Sequence, residues 1–162
     1  MNLTPTQIQT LKAGIAANAT AAAFPNTSDG NFACAAFLNG TASPTLAVWR
    51  PSVANSIILS QLVGTDVIAK VTTIGAQALL AALLTPPALD ATQANVRGDF
   101  STLFPSTTTL TNLTAISQRS ATYLESFFAA GGPPATCALD ALGNSIFGQL
   151  VDYQTVTLAR NS

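Results

Sequence analysis

Apolar residues recur at helical spacing from the first turn of the chain. Leu3 to Ile8 (LTPTQI) reads as a capping box, with Thr4 as N-cap, Pro5 at N1 and Gln7 at N3 reaching back. Leu3 and Ile8 form a hydrophobic staple, and Ile8, Leu11 and Ile15 mark one face of a helix predicted over residues 5–18. Pro25 to Gly30 (PNTSDG) is loop chemistry, and Ser28 or Asp29 can cap the next helix. Phe32, Ala33, Ala36 and Phe37 then share a helical face that stops at Asn39-Gly40. Thr45 to Arg50 runs into Pro51, which favours extended backbone.

Beyond that, Ser52 is read as the cap of a short helix through Ile57, Ile58 and Leu62, ended by Gly64. A stronger helix is predicted over residues 67–84, stopped by Thr85-Pro86-Pro87. Asp90, with Gln93 three positions later, opens another that reaches Phe104. The longest predicted helix covers residues 109–130. Its stripe is Leu110, Leu113, Ile116, Tyr123, Leu124 and Phe127, and Gly131-Gly132-Pro133-Pro134 closes it. Residues 145–151 read as a strand, and Asp152 caps a last helix through Leu158.

Breakers at intervals of 15–25 residues, with no internal repeat, predict an all-α fold. The expectation is a compact bundle of about five to six short helices with a small extended or β element and a C-terminal extension. Residues 1–135 are read as the helical domain and 136–162 as an extension or docking segment.

Charge changes the picture more than hydropathy does. The chain of 162 residues carries six basic and seven acidic side chains and no histidine. Its charged share of 8% compares with about a quarter in ordinary soluble domains, while its apolar share of 48% is average. A surface of Thr, Ser, Asn, Gln and Ala with a net charge of −1 resists association weakly. It also lacks the basic footprint of a nucleic-acid binder. The most apolar run, Ile74 to Leu89, is interrupted by Gln77 and Pro86-Pro87 and is short of the roughly 18–20 residues of a span. No basic n-region leading into an apolar h-region opens the chain, and the five N-x-S/T triplets reflect its richness in Asn, Ser and Thr. Cys34 and Cys137 read as buried thiols before they read as a bridge.

Catalytic constellations are sparse. Without histidine the familiar triads and the commonest metal ligand are excluded, and two cysteines alone cannot close a zinc site. No paired-acid spacing, G-x-S-x-G, S-x-x-K or phosphate loop occurs, so no catalytic, cofactor-binding or metal-binding residue is assigned. An enzyme built on dispersed carboxylates would need a buried acid pair in a cleft. The candidates that remain belong to contact surfaces. Trp49 and Arg50, of types that dominate interface hot spots, read as an interface anchor or as a core Trp with its neighbour. Phe127 and Phe128 point about 100° apart on a helix, leaving one for a partner. Arg97 and Arg119 sit alone on neutral helices and can pair with Asp99, Glu125 or a neighbouring subunit.

Five segments in order resemble a family of small proteins encoded among the virion structural genes of tailed bacteriophages. They are Leu3 to Lys12, Val48-Trp49-Arg50, Ala94 to Gly98, Arg119 to Thr122 with Glu125 and Phe127 to Ala129, and Thr155 to Arg160. The chain departs from the family pattern in a less aromatic middle and in a Thr-rich stretch after Phe104. The resemblance implies a non-enzymatic head–tail connector subunit, a neck adaptor forming a homo-oligomeric ring between portal and tail. It also implies assembly into the virion in the bacterial cytoplasm, and it adds Arg160 to the contact candidates. A decoration or tail-completion protein is the nearest alternative. A small helical carrier of a hydrophobic ligand is a further one, which a Cys34–Cys137 bridge would favour.

Overall fold

The computed structural model describes residues 1–137 and 139–162, with Cys137 described in its backbone alone. Ten helical segments occur among them, in chain order α1 (Pro5–Ala17), α2 (Ala19–Ala23), α3 (Ser28–Leu38), α4 (Asn55–Gln61), α5 (Gly64–Lys70), α6 (Ile74–Leu84), α7 (Ala94–Leu103), α8 (Thr108–Ile116), α9 (Tyr123–Phe128) and α10 (Tyr153–Asn161). Six short strands interleave with them: β1 (Ala47–Trp49), β2 (Val53–Ala54), β3 (Ala88–Leu89), β4 (Gln118–Ser120), β5 (Ala129–Ala130) and β6 (Thr136–Cys137). They pair as β1–β4, β2–β3 and β5–β6. The fold is mainly α, in more and shorter pieces than the five or six helices expected.

The chain divides into two units. One joins Met1–Val48 with Ser120–Ser162, and the other is Trp49–Arg119. The boundary read from the sequence near residue 135 falls inside the first unit.

In the first unit α1 obeys its sequence signals closely. Thr4 Oγ1 accepts the Gln7 backbone N–H at 3.3 Å while Gln7 Oε1 accepts that of Thr4 at 2.9 Å, and Ile8, Leu11 and Ile15 are buried. Around them gather Leu38, Leu124, Ile146, Val151 and Val156. Residues 136–162 thus supply core to this unit. The predicted face of α3 is displaced. Asn31, Cys34, Ala35 and Leu38 point inward, whereas Phe32 is 67% exposed, and the N-cap is Thr27 rather than Ser28 or Asp29. A smaller cluster of Val48, Ala121, Ala135 and Phe147 lies beside backbone bonds from Ala121 N–H to Leu46 O at 2.8 Å and Ala135 N–H to Ala47 O at 2.9 Å.

The predicted helix over 109–130 breaks because Thr122 starts a second capping box. Its hydroxyl accepts Glu125 N–H at 3.2 Å, and Glu125 Oε2 accepts Thr122 N–H at 2.8 Å. Once Thr122 is an N-cap, extended backbone must precede α9, and β4 fills that stretch. Gly131, at φ +79°, turns the chain into the β5–β6 hairpin, a conformation that favours glycine. Residues 145–151 form no strand; Ser145 makes one isolated bridge with Leu139. Asp152 caps α10 as expected, accepting Thr155 N–H at 2.7 Å.

The second unit packs Val53, Ile58, Leu83, Leu89, Phe100, Leu103, Phe104 and Leu113 into one cluster. Val53 pairs with Leu89 and Ala54 with Ala88 in the β2–β3 ladder. Ser52 does not cap α4, whose N-cap is Ala54, and Gly64 opens α5 instead of ending α4. The predicted helix over 67–84 splits at Val71-Thr72-Thr73, where Thr73 turns to cap α6 by accepting Ala76 N–H at 3.1 Å. Asp90 holds a turn ahead of α7, accepting from the N–H and hydroxyl of Thr92 and from the Gln93 amide. The N-cap of α7 is therefore Gln93, with no side-chain cap bond.

A Cβ at Gly14 would lie 2.4 Å from the Phe127 ring. Gly14→Ala, although favourable for helix propensity, is expected to lower stability by about 1–2 kcal/mol through overpacking. Urea melts of Gly14→Ala, Phe127→Leu and the double variant check this, the double falling short of the sum of the singles.

Candidate interaction surfaces

The first unit is pinned by a cation. Helix α10 packs against α1 and α3, burying Val156 and Ala159 and carrying Arg160 to the end of α2. There Arg160 Nη1 donates to Phe24 O at 3.0 Å, Pro25 O at 3.2 Å and Asn31 Oδ1 at 3.0 Å. Nη2 donates to Ala21 O at 2.6 Å and lies 3.5 Å from Cys34 Sγ. Carbonyls left over at a helix C-terminus carry partial negative charge, and a guanidinium fork suits them. Asn31, only 2% exposed, returns its amide to Asn26 Oδ1 at 3.0 Å and Thr157 Oγ1 at 2.9 Å. Cys34 is a free, buried thiol; burial pushes its pKa up, and the Arg160 charge opposes the shift. The expectation for the Cys137 thiol falls on a side chain outside those described.

The remaining contact candidates also have intrachain neighbours. Trp49 is half-buried against the second core, with the Arg97 guanidinium carbon 4.8 Å from its ring centroid. Arg97 Nη1 donates to Ala91 O at 2.8 Å and Thr92 O at 2.7 Å. Arg50 Nε donates to Gln118 O at 2.9 Å. Arg119 is half-buried on β4 and engaged. Phe128 enters the first core, and Phe127 packs beside it against Gly14. The structure brings Trp49 and Arg97 together.

Two carboxylates are buried among the described residues, each with its own donors. Glu125 accepts Thr122 N–H at 2.8 Å and Gly148 N–H at 2.6 Å. Asp140 accepts the N–H groups of Leu142 and Asn144 at 2.9 Å and the Gln149 amide at 3.1 Å. The Asn144 backbone bond, with the Gln149 and Leu142 donors, holds the Asp140 carboxyl below the usual range; the Thr155 backbone N–H does the same for Asp152. No group of three or more Cys, Asp or Glu among the described residues is placed to hold a metal ion.

Sequence reasoning does not anticipate the exposed apolar side chains of the second unit. In α6 only Leu83 is buried, and α5 buries no residue. Ile68 is 79% and Ile74 86% exposed, with Ile57 and Leu59 exposed on α4. A helix apolar nearly all round is ordinarily buried, so this one is unusual. The signal is the uncharged run Ile74 to Leu84, which on its own reads as core. No helix among the described residues is long and apolar enough to cross a membrane.

No protein-family model matches the chain, and neither a curated protein nor a solved structure matches it significantly.

Arg160→Lys keeps the charge and loses the fork. It is expected to cost about 1–3 kcal/mol in urea unfolding, with an unchanged m-value. Asp140 and Asp152 are expected to contribute to the loss of stability in acid. Their folded pKa values are depressed, so their stabilisation is full above the unfolded value of about 3.9 and is lost as pH falls through the folded values. Asp140→Asn and Asp152→Asn should each flatten the fall of melting temperature below that pH.

Proposed function

We propose that the chain is a non-enzymatic virion structural protein of a tailed bacteriophage, a neck adaptor whose copies form a ring between portal and tail. The observation that carries the self-association is the set of exposed large apolar side chains on short helices, Ile57 and Leu59 on α4, Ile68 on α5 and Ile74 on α6. Isolated exposed leucines are ordinary, but several large apolar side chains on adjacent short helices favour a partner. A net charge of −1 leaves little repulsion between copies. Closing a ring needs a heterologous contact, one face of a copy on a different face of the next. The ordered resemblance of five segments supports the virion setting. The free thiol of Cys34 withdraws the bridge that would have favoured a ligand carrier.

The test is light scattering after size exclusion at several concentrations, alone and with portal or neck fractions. A discrete oligomer, or a monomer that assembles on those fractions, is expected. Ile68→Glu with Ile74→Glu should abolish assembly while leaving the melting temperature nearly unchanged. A monomer that never assembles and takes up an apolar dye at one saturable site overturns the proposal in favour of a carrier.

A further inference from the structure

We propose that the cleft between α3 and α10 binds a neutral saccharide, a property separate from the assembly role. The cleft has a volume of about 260 Å³, just below the range of roughly 300–1,000 Å³ for drug-sized ligands and suited to one or two small rings. Asn26, Thr27, Ser28, Asn31, Thr157 and Asn161 line it, and Tyr153 closes one side. Every one of these side chains carries a hydroxyl or a carboxamide.

That donor set is selective by chemistry. Hydroxyls and carboxamides offer both donors and acceptors, which matches a ligand whose own hydroxyls do the same. An anion would find no cation in the lining, because the Arg160 guanidinium behind Asn31 is occupied by Ala21, Phe24 and Pro25 carbonyls. An apolar ligand would bury these groups without partners, at a cost. The cleft is also prearranged. Asn31, buried and held by Arg160, fixes Asn26, and Asn26 in turn donates to Asn161 Oδ1 at 3.0 Å. The Asn161 amide N–H groups and the hydroxyls of Ser28 and Tyr153 have no partner among the described residues. They are open to a ligand.

A second feature points the same way. Tyr153 is shared with an adjoining apolar concavity, also of about 260 Å³, that includes Phe32. The two rings lie 6.4 Å apart, tilted by 46°, and are 67% and 40% exposed for Phe32 and Tyr153. Sugar rings present C–H faces as well as hydroxyl edges, and an exposed aromatic wall beside a carboxamide cleft receives both.

The experiment is a two-dimensional amide NMR titration of the full chain with glucose, galactose, mannose and N-acetylglucosamine, each at low and high salt. At least one sugar should give saturable shifts confined to residues 26–32 and 151–161, with affinity independent of salt. Asn161→Ala and Phe32→Ala, both at exposed positions, should each weaken binding about tenfold with the fold intact. The absence of saturation with all four sugars overturns the proposal. So do shifts centred elsewhere, or unchanged affinity in both variants. Tighter, salt-sensitive binding of glucose 6-phosphate than of glucose overturns it in favour of an anion site. Each outcome is independent of whether the chain assembles.

Discussion

One guanidinium reaches five groups around the start of α3. Arg160 touches three carbonyls at and beyond the end of α2, the Asn31 carboxamide and the Cys34 sulfur. Each of those groups is a liability when buried without a partner, and a single side chain relieves them together. The consequence reaches α3, whose inward face can include Asn31 because Arg160 meets it. It reaches α10 as well, since Val156 and Ala159 are seated by the same docking. The polar cleft beside Asn31 depends on this arrangement, because Asn26 and Thr157 take their positions from it.

The second unit is organised differently. Its core is aliphatic and aromatic, closed by Phe100, Phe104 and Leu113, and its polar ties join side chains to backbone. Asn55 reaches Leu84 O at 2.7 Å, and Asp66 accepts Thr109 N–H at 2.8 Å. These bonds fix α4 and α5 to their neighbours while leaving Ile68 of α5 and Ile74 of α6 exposed. A chain with so few charges has little with which to cover such side chains itself. The proposed ring would cover those side chains.

Much of the local structure is legible because it is written in side chain–backbone bonds of short range. The Thr4 capping box, the Asp152 cap and the extended run before Pro51 each need only four or five residues of context. The same logic, applied at Thr122 and Glu125, splits the helix expected over 109–130. An apolar stripe that runs through the break outweighs it. Val71-Thr72-Thr73 hides the division between α5 and α6 in the same way. The face of α3 is illegible for another reason. Reading it requires knowing that a polar Asn31 meets an arginine 129 positions away. Trp49 stays open between anchor and core, and the stacked Arg97 that accompanies it lies across a turn that periodicity does not encode.

The division of the chain also sets an order of events during synthesis. Residues 49–119 form one uninterrupted stretch, so every residue of the second core has been synthesised before Leu124 of the first core is added. The first unit, by contrast, is split around that stretch. Its opening helices are made early, and the arginine that Asn31 and Cys34 share is the 160th residue to be added. Until then α1, α2 and α3 are an incomplete scaffold exposing an apolar face to the cell. The order in which the chain is made thus leaves this half of the molecule to close last.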